Sequence, residues 1–140
     1  MDSRIEERLD LFFLKNQIAL GTKCSEKDIK LIEDSLGEKL SDTHKEFLLK
    51  YGGSIVGDLA IYGLINSELM DENTVVELTE SFVNDGVRLK KGQYVFSYDG
   101  SGNPIIQDTN GQILIFDHDI GEFEVLAVSL HDLIDENLPD

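Results

Sequence analysis

Near the start of the chain Ile5, Leu9, Phe12 and Phe13 recur at helical spacing behind Ser3 and Glu6, which are placed as a capping box. The pattern predicts a first helix to about Ala19, broken by Gly21 and Thr22. Ser25 with Asp28 forms a second capping box before the apolar stripe Ile29, Ile32, Leu36, and Gly37 supplies a left-handed stop. Ser41 starts a third helix with Phe47, Leu48 and Tyr51 on its apolar face, and Gly52-Gly53 end it.

From Ser54 the texture turns to short β-favouring runs, first Leu59 to Tyr62. One more helix is predicted from an Asn73 cap through Val75, Val76, Leu78, Thr79, Phe82 and Val83 to Asn84-Asp85-Gly86. Four strands follow: Gln93 to Ser97, Asn103 to Gln107, Gln112 to Phe116 and Glu122 to Val128, separated by glycine-bearing turns. In the last strand Phe123, Val125 and Ala127 alternate with Glu122 and Glu124, so one face is expected to be packed and the other to hold carboxylates in water. Ser129 and Asp132 open a short closing helix. The class is α+β: a helical third, then an antiparallel meander, with a single domain over residues 1–140 expected from the length and the absence of repeats or linkers.

Charge sharpens the picture. With 28 acidic and 12 basic residues the net charge is −16, and it is lopsided: residues 1–70 hold 13 acids and 9 bases, residues 71–140 hold 15 and 3. From Gly92 onward there is no Lys or Arg but ten acids, Asp99, Asp108, Asp117, Asp119, Glu122, Glu124, Asp132, Asp135, Glu136 and Asp140. Such a surface repels nucleic acid and anionic lipid and suits a basic protein partner, although a dense acidic surface also simply keeps a protein soluble. No apolar run approaches the roughly 20 residues of a membrane span, the first residues lack the marks of a secretion signal, and a lone Cys24 fits a reducing compartment; a cytoplasmic location is the expectation.

Local patterns for chemistry are weak. Asp99-Gly100-Ser101-Gly102-Asn103-Pro104 starts like a calcium loop, but Pro104 stands where a glycine is needed and Asn110 where a bidentate Glu is needed. Asp117-His118-Asp119 offers three ligand types in a row, yet adjacent strand residues point to opposite faces. His44, His118 and His131 fall on different elements; His44 and His131 read as surface or capping groups. No nucleophile elbow, phosphate loop or paired zinc His motif occurs, so no catalytic residue, metal or cofactor is assigned.

Ile29, Ile32, Glu33, Leu36-Gly37, Leu40, Phe47-Leu48, Tyr51-Gly52-Gly53 and Ile61-Tyr62-Gly63 together resemble the SUKH superfamily, which includes yeast cell-wall assembly regulators of the Smi/Knr type and many bacterial toxin-immunity proteins. The resemblance covers about residues 25–135. It departs at Ser41, where the family commonly has Pro, and in lacking the Trp of many members. It implies a sheet packed by helices that presents a face to a partner protein, with no family-wide catalytic residues. The partner so implied is a cognate toxin, a basic nuclease being the class that the charge suits; an adaptor role and an enzyme with an unrecognised carboxylate site remain the alternatives. The candidate face is Asp99, Asp108, Asp117, Asp119, Glu122 and Glu124, with Tyr94 and Tyr98 as aromatic anchors. The competing reading is that Tyr94, Phe96 and Tyr98 share one packed face at period two.

Overall fold

The computed structural model describes residues 1–139. Helix α1 spans Ser3–Lys15 and is followed by a 3-10 turn, Gln17–Ala19; then come α2 (Glu26–Leu36), α3 (Asp42–Tyr51), a hairpin of β1 (Ser54–Val56) and β2 (Leu59–Ile61), α4 (Val75–Asn84), the strands β3 (Tyr94–Tyr98), β4 (Pro104–Gln107), β5 (Ile113–Asp117) and β6 (Glu122–Ala127), and α5 (Leu130–Asn137). This is the α+β order that the hydrophobic pattern predicts, except that the strands divide into two antiparallel sheets, the β1–β2 hairpin and the meander β3-β4-β5-β6.

Helix ends follow local chemistry. Ser25 and Asp28 exchange side chain-to-backbone bonds as a full capping box, and Gly37 takes φ 70° to stop α2, a conformation that costs a residue with a Cβ roughly 1 kcal/mol or more. Two caps lie one residue from their expected places. Asp2, not Ser3, accepts the Ile5 amide to start α1, and Thr74, not Asn73, pairs with Glu77 to start α4. Helix α1 also stops at Lys15 rather than near Ala19, because the Asn16 backbone (φ −133°, ψ 58°) leaves the helical region.

The meander is sandwiched. On one face Phe82 of α4 meets Phe116 edge-on at 5.2 Å and Phe123 at 6.3 Å between ring centroids. On the other, His44 of α3 stacks against Tyr94 at 5.7 Å and lies 5.6 Å from Phe96. Ile5, Leu9 and Phe13 of α1 and Leu133 and Ile134 of α5 belong to the same buried core. Each such side chain contributes about 1.5–3 kcal/mol by leaving water.

Two expectations about the sheet need correcting. A bulge between Val95 and Ser97 breaks the period of β3: Tyr94 lies opposite Gln107 and Tyr98 opposite Pro104, an odd separation that turns the two tyrosines to opposite faces. And the expected packed face of β6 is mostly bare: five of its six residues are exposed, only Ala127 being buried, because β6 is the edge strand, although Phe123 still meets Phe82 of α4.

Candidate functional site

The turn Asp99–Asn103 joins β3 to β4, and Asp117–Gly121 joins β5 to β6, so both lie at one end of the meander. His118 ties them together: its amide donates to Asn103 Oδ1 at 3.1 Å, and its Nε2–H donates to the Gly102 carbonyl at 2.7 Å. The carboxylates shape these turns. Asp99 accepts the Ser101 and Asn103 amides, both at 2.9 Å, and Asp117 accepts the Asp119 amide at 2.8 Å. Partial burial works against the charge on Asp99, but those amides, with His118 nearby, outweigh it and hold the carboxyl below its ordinary range.

Asp99, Asp117, Asp119 and Glu122 thus gather at one end. Glu124 extends the group along β6 on the same face as Asp117 and Glu122. Asp117 and Glu122 are direct cross-strand partners, a like-charge pair that opposes strand association. None of these five forms an ion pair among the described residues; the ion pairs of Lys and Arg lie elsewhere, Lys50 with Glu6 and Asp10, Lys45 with Glu26, Lys30 with Asp34 and Arg8 with Asp135. Asp140 of the base-free stretch lies outside the described residues.

The remaining expected residues separate from this group. Asp108 is in the β4–β5 turn at the far end, roughly 13 Å away along β4, where it accepts the Gln93 side-chain amide at 3.0 Å and the Thr109 amide at 2.8 Å. Tyr94 is 1% exposed and is a core group, not a surface anchor. Its hydroxyl accepts the Ser41 amide and donates to His44 Nδ1, each at 3.0 Å, while His44 Nε2–H donates to the Tyr62 carbonyl at 3.0 Å. Burial pushes the Tyr94 phenol up to about 12 and depresses His44 to about 4, so the imidazole is neutral. His44 is therefore no surface or capping group.

Tyr98 is half-buried and its hydroxyl is engaged by Asp71, which also accepts the Tyr62 hydroxyl at 3.0 Å. It lines a cavity of about 250 Å³ between α4 and the paired turns, with Leu78, Phe82 and Pro104 as apolar lining and Glu77, Asp85 and His118 among its polar groups. Glu77 and Asp85 were not among the expected residues, since they precede the base-free stretch; the excess of acids over the whole of residues 71–140 is the signal that includes them. A larger cavity of about 490 Å³ beside α1 is lined by Lys23, Lys50 and Asp10 among apolar groups.

Among the described residues no three His, Cys, Asp or Glu side chains are grouped to hold a metal ion, and no helix is long and apolar enough to cross a membrane. The family model described as SMI1-KNR4 cell-wall (SUKH_6) matches residues 26–134. The chain belongs to the SUKH superfamily. The SUKH match runs from the first residue of α2 into α5; α1 falls outside it, although Ile5, Leu9 and Phe13 complete the core. No curated protein matches the chain. The matched stretch includes the double glycine after α3 and the whole meander, so the acidic end of the sheet lies within it.

Proposed function

We propose that this SUKH domain is an immunity protein, which binds a basic toxin domain, a nuclease being the class that suits its charge, and covers the toxin's cationic surface with the acidic end of its sheet. The observation that carries this reading is the group Asp99, Asp117, Asp119, Glu122 and Glu124, which forms no ion pair among the described residues and lies in a stretch devoid of Lys and Arg. A nuclease keeps positive charge on its surface to hold phosphate, so an opposed acidic face accelerates encounter by about 10- to 1,000-fold and disfavours wrong partners. The neighbouring cavity adds to charge a pocket of mixed lining, with Leu78, Phe82 and Pro104 to take the stem of an Arg or Lys and Glu77, Asp85 and Tyr98 to take its head. Inhibition on this reading is stoichiometric occupation of a surface.

The test is to co-express the chain with the toxin domain encoded beside its gene. Restored growth and a 1:1 complex on gel filtration support the proposal. A toxin that kills equally with and without the chain, and does not associate with it, contradicts it.

A further inference from the structure

The two edges of the meander are unlike. The outer side of β3 is closed, because the Val95 amide donates to Thr79 Oγ at 3.0 Å and the Phe96 carbonyl accepts the Tyr62 amide at 3.0 Å. The outer side of β6 has no strand beside it, and five of its six residues are exposed. An antiparallel strand turns alternate N–H and C=O groups away from its neighbour, so β6 offers a row of main-chain donors and acceptors to an extended chain laid alongside it.

The side chains select that chain. Phe123 and Val125, opposite Phe116 and Leu114, lie on the α4 side of the sheet and are 39% and 59% exposed; Glu122 and Glu124 point to the other side. A second copy of β6 is a poor occupant. Antiparallel self-pairing with Phe123 on the two-fold axis, the kind of register that keeps like faces together, sets Glu122 against Glu124 of the second copy, and each chain carries −16. A strand in which basic and apolar residues alternate satisfies both sides at once, with its bases against Glu122 and Glu124 and its apolar groups against Phe123 and Val125. The glutamates thus guard the edge against self-association and leave it open to a basic strand. The register skips Leu126 between Val125 and Ala127, and this bulge limits regular pairing to the first part of β6.

We infer that β6 is a strand-addition edge, which captures an extended basic–apolar segment of the partner as a fifth strand of the meander. This rests on the reading of the partner as basic and specifies how part of it is held.

The experiment titrates the full ¹⁵N-labelled chain with an end-capped octapeptide of alternating Lys and Val, and in parallel with the same peptide N-methylated at every amide, which keeps the charges and side chains but removes the main-chain donors. The plain peptide is expected to bind more tightly than about 1 mM at low salt and to slow hydrogen exchange of β6 amides at least tenfold, with binding weakened at least tenfold by N-methylation. The double variant Glu122→Lys/Glu124→Lys, changed only at exposed positions, should prefer an alternating Glu–Val peptide. Strand addition is overturned if the plain peptide does not bind, if the two peptides bind alike, or if no protection appears on β6. Equal, salt-sensitive binding of both peptides sinks strand addition while leaving the acidic-face reading standing; failure of the folded toxin domain to bind removes that reading itself.

Discussion

The Tyr94 hydroxyl and His44 Nδ1 lie 3.0 Å apart in the interior, joining β3 to α3, and both groups have every partner they need. Ser41 N–H donates to the tyrosine oxygen, and the second imidazole nitrogen donates to the Tyr62 carbonyl. Three segments far apart in sequence are thereby held in one register beneath the sheet. Tyr94→Phe should destabilise the fold by about 1–3 kcal/mol in chemical denaturation, since it strands the Ser41 amide and His44 Nδ1 without a partner.

The same pair makes stability depend on pH. Burial depresses His44 from its ordinary 6.5 to about 4, so the folded state binds fewer protons than the unfolded state between those values. The contribution is fully present above pH 6.5 and is lost as pH falls toward 4, reaching about 3 kcal/mol. Denaturation curves of the protein and of His44→Gln across that window should differ in slope, the variant lacking this component. Parallel curves would contradict a neutral buried imidazole.

Closure of the β3 edge is a separate matter of one hydroxyl. Thr79→Val keeps the shape but leaves the Val95 amide without its acceptor, and should cost about 1–3 kcal/mol, with faster hydrogen exchange at Val95.

Much of this architecture was legible in the sequence where the cause is local. Ser25 with Asp28, Gly37 and Gly52 mark helix ends by chemistry within one turn, and the glycine turns marked the meander. The misreadings are of two kinds. Asp2 and Thr74 displaced Ser3 and Asn73 because neighbouring residues cap almost equally well. The burial of Tyr94 and His44, the bulge in β3 and the bareness of β6 depend on partners 18 to 50 residues away or on which strand ends at the edge, and no local period encodes these. The acidic group was legible as composition. Its division, with Asp108 at the far end and Tyr94 inside, depended on how the hairpins alternate.

Reversal of charge on β6 separates binding from folding. Glu122→Lys/Glu124→Lys changes two exposed side chains and should leave thermal stability nearly unaltered, by about 0.5 kcal/mol or less per site, while weakening capture of the proposed basic partner at least tenfold. Calorimetry on the variant and a thermal melt read both quantities.

The most direct test is the association rate of the chain with the toxin domain proposed as its partner, measured by stopped flow from about 0.05 to 0.5 M salt. The Debye length shrinks from about 14 Å to about 4 Å over that range, which cuts off the long-range attraction of a −16 chain before contact. Contacts made after docking are screened far less. The association rate should fall tenfold or more while the dissociation rate changes little. An association rate that is flat across the range, or a partner with no basic surface, would contradict an acidic face that recruits its target by charge.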